Sequence, residues 1–127
     1  MLKLLSWRGE EIKAKIAMAE ERAVNRIMAD CVQEAQKRAP VDAGILRDDI
    51  QVLRPAAKAA RGHSGYWGVR GGYKGGWYVW IVHHGSRAHM VRGKRHPGFR
   101  GRPFLRQAVD AHYPKLAKQV KAEMKML

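Results

Sequence analysis

Ile12, Ile16, Ala19, Ala23, Ile27, Cys31 and Ala35 recur at three- and four-residue steps, a spacing that lays them on one stripe of a helix. The pattern predicts a single long helix over residues 10–39, and an apolar stripe of that length has to be covered by the rest of the chain. Glu10 and Glu11 stand near its start and Lys37 and Arg38 near its end, as the helix dipole favours. Pro40 stops it, because a proline has no amide hydrogen to continue the ladder. Glu20, Glu21, Arg22 and Arg26 lie off the stripe and read as a solvated face. With 127 residues in all, there is room for one domain and little more.

After the helix the period changes. "PVDAG", residues 40–44, reads as a turn, each of its proline, aspartate and glycine having a local reason to be there. "ILRDDIQVLRP" alternates as a strand does, over about residues 45–54, and is closed by Pro55. "AAKAARGHSG" is a loop or a hairpin connection. "YWGVRGG" and "WYVWIVHH" are two further strand candidates joined by the glycine-rich "GGYKGG". The second carries aromatic and β-branched residues on both faces, which suits a central strand covered on both sides. Residues 85–102 show no periodicity and read as a long basic loop; a structureless connection of that length is usually functional or mobile. Pro103 then suits a first helical turn, and the helix runs through Phe104, Leu105, Ala108 and Val109 until Pro114 kinks or restarts it. Leu116, Val120, Met124 and Leu127 extend an apolar stripe, with Lys115, Lys118, Lys121 and Lys125 on the wet side. The expected fold class is α+β: a long N-terminal helix, a small antiparallel sheet of three or four strands, a long basic loop and a C-terminal helix, all in one domain spanning 1–127.

Charge narrows the classes of function. The net charge is +14 and it is uneven. Between Asp49 and Asp110 there is no acidic residue, while Arg54, Lys58, Arg61, Arg70, Lys74, Arg87, Arg92, Lys94, Arg95, Arg100, Arg102 and Arg106 all fall there. Such a middle calls for an acidic partner: nucleic acid, a membrane surface or an acidic protein face. The single cysteine, Cys31, rules out a disulfide within the chain and reads as a small buried apolar residue of the helix rather than a reactive thiol. No apolar run approaches the roughly 18 residues of a membrane span, and "MLKLLSWRGEE" is too short in its apolar part for a signal peptide, so a soluble, intracellular product is expected.

Few residues suggest catalysis. His83, His84, His89 and His96 are close in sequence, but neighbours on a strand point to opposite faces, which works against a three- or four-ligand zinc site. Ser64 and Ser86 lack a nucleophile-elbow context. Asp42 is accounted for by its turn, and Asp48 and Asp49 by a strand edge. "GVRGGYKGG" lacks the Gly-Lys-Ser/Thr ending of a phosphate loop and is not followed by a helix, so its glycines serve a hairpin better. No cofactor, metal or catalytic residue is expected. The chemical reading with most support is nucleic-acid contact, with basic residues interleaved among Trp67, Tyr73, Trp77, Tyr78, Trp80 and Phe99; the competing reading makes these aromatics the core of the sheet.

Three stretches carry a family resemblance. "AQKRAPVDAGILRDDI", "YVWIVHHGSRAHMV" and "GRPFLRQAVDAHYPKLAKQVKAEM" come in an order and spacing similar to that of the head–tail connector or tail-completion proteins, small neck proteins of lambda-like siphophages and related prophages. The likeness covers most of residues 23–127. Pro40, Asp42, Gly44, Leu46 and Arg47 match the first motif, Gly85, Ser86 and Met90 the strand end, and Gly101, Arg102, Pro103, Phe104, Leu105 and Arg106 the last. The chain departs from the pattern at Ala43, Asp49, His83, His84 and Gln107.

The resemblance implies a structural virion protein without catalysis: a ring subunit, commonly one of six, joining the tail tube to the head connector around the DNA channel. Its implied partners are copies of itself, head connector, adaptor or stopper proteins, tail terminator or tail-tube proteins, and phage DNA contacted without sequence preference; no membrane is involved. It would be made in the host cytoplasm and end in the neck of the virion. On that reading Phe104 and Leu105 anchor the last helix against the sheet. Arg87, Arg92, Lys94, Arg95 and Arg100 in the loop would reach ring neighbours or line the channel. A tail terminator, a stopper, a minor tail protein or a free basic nucleic-acid-binding module are the alternatives.

Overall fold

The computed structural model describes residues 2–39, 47–70 and 82–127. Helix α1 runs Leu2–Arg38, eight residues earlier than its apolar stripe suggests. At about 1.5 Å per residue it is a rod of roughly 55 Å. The antiparallel pair β1 (Ile50–Ala59) and β2 (Gly62–Val69) follows. Next come four short strands, β3 (Gly85–Ser86), β4 (His89–Val91), β5 (Lys94–His96) and β6 (Phe99–Arg100), and two final helices, α2 (Phe104–His112) and α3 (Leu116–Met126). α1 packs against β1, β2, α2 and α3, so every larger element leans on the same rod.

The α1 stripe is buried only in its second part. Ala19, Ala23, Ile27, Cys31, Ala35 and Ala39 are buried, whereas Ile12 and Ile16 are 51% and 39% exposed. The seam is rich in alanine, which lets neighbouring backbones come close. Ala35 and Ala39 face Ile50 of β1, Val82, and Phe104 and Ala108 of α2, and this cluster is the centre of the core. Val32, Trp67, Val69 and Leu105 pack around it. Gly65 in β2 is required by the same closeness: a Cβ there would lie 2.5 Å from the Met28 Cε and 3.0 Å from the Arg54 carbonyl oxygen. Polar contacts fix the sheet on the rod. Gln36 Nε2 donates to the Ile50 carbonyl at 3.1 Å, and His63 meets Glu20 at 3.0 Å.

β1 differs from the strand expected over residues 45–54. Residues 47–48 are a helical turn, the strand starts at Ile50, and it runs through Pro55 instead of ending there. The ladder explains this. Its register shifts between Val52 and Arg54 and again between Arg54 and Ala57, so Pro55 sits in an irregular stretch where no ladder donor is needed. The next amide, of Ala56, leaves the ladder and donates to Asn25 Oδ1 on α1 at 2.8 Å. Arg54 turns outward over Tyr66, 4.2 Å from the ring centre, and its Nη2 donates to Ser64 Oγ at 2.9 Å.

Among the described residues the main sheet has two strands, β1 and β2. The "PVDAG" turn, "GGYKGG" and residues 77–81 of the supposed central strand lie outside the described residues. The end of that segment, residues 82–84, is helical and not extended. The chain reverses at Gly85 (φ 83°), and the Val82 carbonyl accepts from the Arg102 amide at 2.8 Å instead of from a sheet neighbour. The C-terminal helix is broken as its proline demands: α2 ends at His112, a 3-10 turn occupies Tyr113–Lys115 around Pro114, and α3 restarts at Leu116.

Candidate functional site

Residues 85–102 carry the chain's densest positive charge, and the structure gives them an architecture that their lack of periodicity hides. β3 pairs with β6 through Gly85↔Arg100 and Ser86↔Phe99. β4 pairs with β5 through His89↔His96, Met90↔Arg95 and Val91↔Lys94. The segment is therefore one antiparallel hairpin with an irregular waist. Its tip is the two-residue turn Arg92–Gly93, with φ of 50° and 80°. Positive φ at both positions is the type I′ arrangement that matches strand twist, with arginine in a place better suited to asparagine or glycine.

Two glycines hold the base of the hairpin closed. A Cβ on Gly98 (φ 76°) would collide with the Ser86 carbonyl oxygen and lie 2.6 Å from the Arg87 carbonyl carbon. A Cβ on Gly101 would lie 2.5 Å from the His84 carbonyl carbon. The two legs thus touch backbone to backbone. Immediately beyond them, Phe104 is 0% exposed and sits in the core among Ala35, Ala39, Ile50, Val82 and Ala108. Leu105 packs at the edge of this cluster. α2 starts without a side-chain cap: the Phe104 amide donates to the Arg102 carbonyl at 2.7 Å and the Gln107 amide to the Pro103 carbonyl at 2.9 Å.

Arg87, Arg92, Lys94, Arg95, Arg100, Arg102 and Arg106 are all exposed, and Met90 beside Arg95 is 66% exposed. Arg100 and Arg102 also line a concavity of about 690 Å³ together with Lys37 and Arg38 from the last turn of α1. Beneath the hairpin the groups are less charged. The His83 ring lies edge-on to Phe104, with centroids 5.8 Å apart, and to His84 at 4.6 Å. Burial first, then His84 and Arg106, push the His83 pKa below its usual value, so the ring is held neutral. His83 Nδ1, Ser86 Oγ and Arg47 Nε are buried and make no hydrogen bond to the described residues.

Of the residues that carry the resemblance, the structure brings Gly85, Ser86, Gly101, Arg102, Pro103, Phe104, Leu105 and Arg106 together at the hairpin base, with Met90 toward its tip. Pro40, Asp42, Gly44 and Leu46 lie outside the described residues, and Arg47 belongs to the helical turn before β1. Gly98, Lys37 and Arg38 join the site only in three dimensions; no local pattern connects α1 to a segment more than sixty residues further along. Trp67 packs against the core cluster, which supports the sheet-core reading for that aromatic. Tyr73, Trp77, Tyr78 and Trp80 fall outside the described residues. Cys31 is buried, its thiol donates to the Ala108 carbonyl at 3.7 Å, and burial together with Asp30 pushes its pKa up to about 11, so it packs as an apolar group. Among the described residues no cluster of His, Cys, Asp or Glu is arranged to hold a metal ion, and no helix is long and apolar enough to cross a membrane.

The described residues form a small α+β body built on one rod that presents a glycine-braced cationic hairpin. Residues 6–91, about two thirds of the chain, match the HK97-gp10-like family, described as "Bacteriophage HK97-gp10, putative tail-component", and the chain belongs to that family. It is thus a tailed-phage structural protein of the tail and neck region, acting in the virion alongside other tail or head proteins. No match was found among curated proteins or among solved structures.

Proposed function

We propose that this protein is a neck subunit of a tailed phage of the lambda-like kind, acting as a single domain over residues 1–127. Copies form a ring, six in the assembled virion, that completes the tail and joins its tube to the head connector around the DNA channel. Its protein contacts are the head connector, adaptor or stopper on one side and the tail terminator or tube on the other. The observation that carries the reading is the hairpin at 85–102. Its Arg87, Arg92, Lys94, Arg95 and Arg100 are exposed, its legs are held together at Gly98 and Gly101, and Phe104 just beyond them is buried in the core. A structural protein gains from such a device because the charge reaches a neighbour or the channel without loosening the fold. DNA that must slide past calls for contacts to phosphates alone, which are non-specific and weaken with salt.

An amber mutation in the gene tests the role. Electron microscopy is expected to show full heads and finished tails that are not joined, and purified protein is expected to join them. Normal joined virions would discard the joining role. The free nucleic-acid-binding module is the reading that the net charge of +14 then favours.

A further inference from the structure

We propose that the concavity between the end of α1 and the base of the hairpin is a seat for the sugar–phosphate backbone of duplex DNA, with Lys37, Arg38, Arg100 and Arg102 as its contacts. The four side chains come from two places in the chain and line one open space of about 690 Å³. Among the described residues no acidic one lines it. Of the four, only Arg38 has an acidic partner among the described residues, Glu34 at 3.6 Å. Three unpaired cations held together repel one another, and a phosphate backbone relieves that repulsion while releasing its own counterions. The uncapped start of α2, with no acid in its first turn, adds positive potential at the same rim.

The lining favours DNA over an acidic protein. Protein interfaces are depleted of charged residues at their cores, and the arginines they do use come with aromatic side chains and methionine. Among the described residues this concavity offers Ala39, Gly101, Pro103 and Gln107 between its cations and no aromatic residue or methionine. It also continues the hairpin's charge. Arg100 belongs to both, so a strand held by the hairpin is led onto α1. The inference deepens the neck reading on which it rests, and its test is independent of joining.

The test measures binding of the full chain to a fluorescein-labelled random-sequence duplex by anisotropy at a series of KCl concentrations. K37S/R100S/R102S is compared with K115S/K118S/K121S, which removes the same charge from the exposed face of the C-terminal helical segment. The pocket variant is expected to bind about tenfold or more weaker. Its slope of log K against log salt is expected to be shallower by about 2–3, roughly one for each phosphate that the variant no longer neutralises. The lysine variant is expected to stay within about twofold of the parent. Equal weakening in both variants would overturn the proposal, since net charge alone would then explain the binding. An unchanged slope in the pocket variant, or no binding by the parent, would overturn it too. An unchanged slope with failure to rejoin heads and tails would reassign the concavity to an acidic protein face and leave the neck role standing. R100Q and R102Q singly repeat the comparison should the triple variant fail to fold.

Discussion

The α1–α2 seam and the hairpin at 85–102 solve opposite problems with residues of the same small size. In the seam, alanines at 35, 39 and 108 let two helices close over Phe104, and the gain is apolar burial. In the hairpin, glycines at 98 and 101 let two strands touch backbone to backbone, and Met90 and the cations above them are exposed. One region is stable because water is excluded from it. The other is braced by backbone contact while its arginines and Lys94 stay wet. Charge on the hairpin therefore changes without cost to the fold, and changes in the seam reach the hairpin only by undoing its base.

The sharpest way to break this contrast is Phe104→Ala. A large cavity among close-packed alanines is expected to cost about 3–5 kcal/mol, read from denaturant unfolding; a loss under about 1 kcal/mol would show that the seam does not depend on its one large buried ring. Next is Gly98→Ala, which forces a side chain into a left-handed position and onto the opposite strand. It is expected to cost at least about 1–2 kcal/mol and to speed hydrogen exchange across the hairpin. His83 gives a smaller, pH-dependent effect. Its pKa is lowered on folding, so the unfolded chain binds the proton more readily and stability falls as pH drops below about 6.5. His83→Gln is expected to flatten the acid limb of a plot of Tm against pH, and an unaltered limb would place that titration elsewhere. Arg92→Asn suits the type I′ turn better and is expected to slow amide exchange at the tip, with a gain near about 0.5 kcal/mol. At the small end, replacing Arg92, Lys94, Arg95 and Arg100 by serine is expected to leave stability within about 0.5 kcal/mol while impairing virion assembly or DNA ejection. Full infectivity of that variant would separate the hairpin's charge from its function.

How much of the molecule is legible in its sequence follows from the range of each signal. The stripe of α1 and the break at Pro114 are local and periodic, so both can be read directly. The start of α1 cannot, because Glu10 and Glu11 look like a first turn and lie instead in an unbroken helix. Pro55 reads as a strand end on local grounds, and only a distant acceptor, Asn25, lets β1 continue past it. The hairpin is hidden because its strands are two or three residues long, too short for alternation to register, and its turn is Arg-Gly rather than Asn-Gly. Phe104 reads as an anchor against the sheet; its surroundings are mostly the alanines of α1 and α2, a pairing that no local pattern announces.

The seam also sets a timetable for synthesis. Cys31 meets Ala108 across 77 positions, and Ala35 and Ala39 close only when Phe104 arrives. A ribosome making this chain therefore releases α1 before the elements that cover its far end, and the core is complete only after residue 104 has emerged. A fragment that terminates before that point lacks Phe104 and has no second helix to close over the seam. Such fragments cannot present the finished hairpin base, so an early amber allele is expected to leave no folded competitor, and its phenotype then reports the missing protein alone.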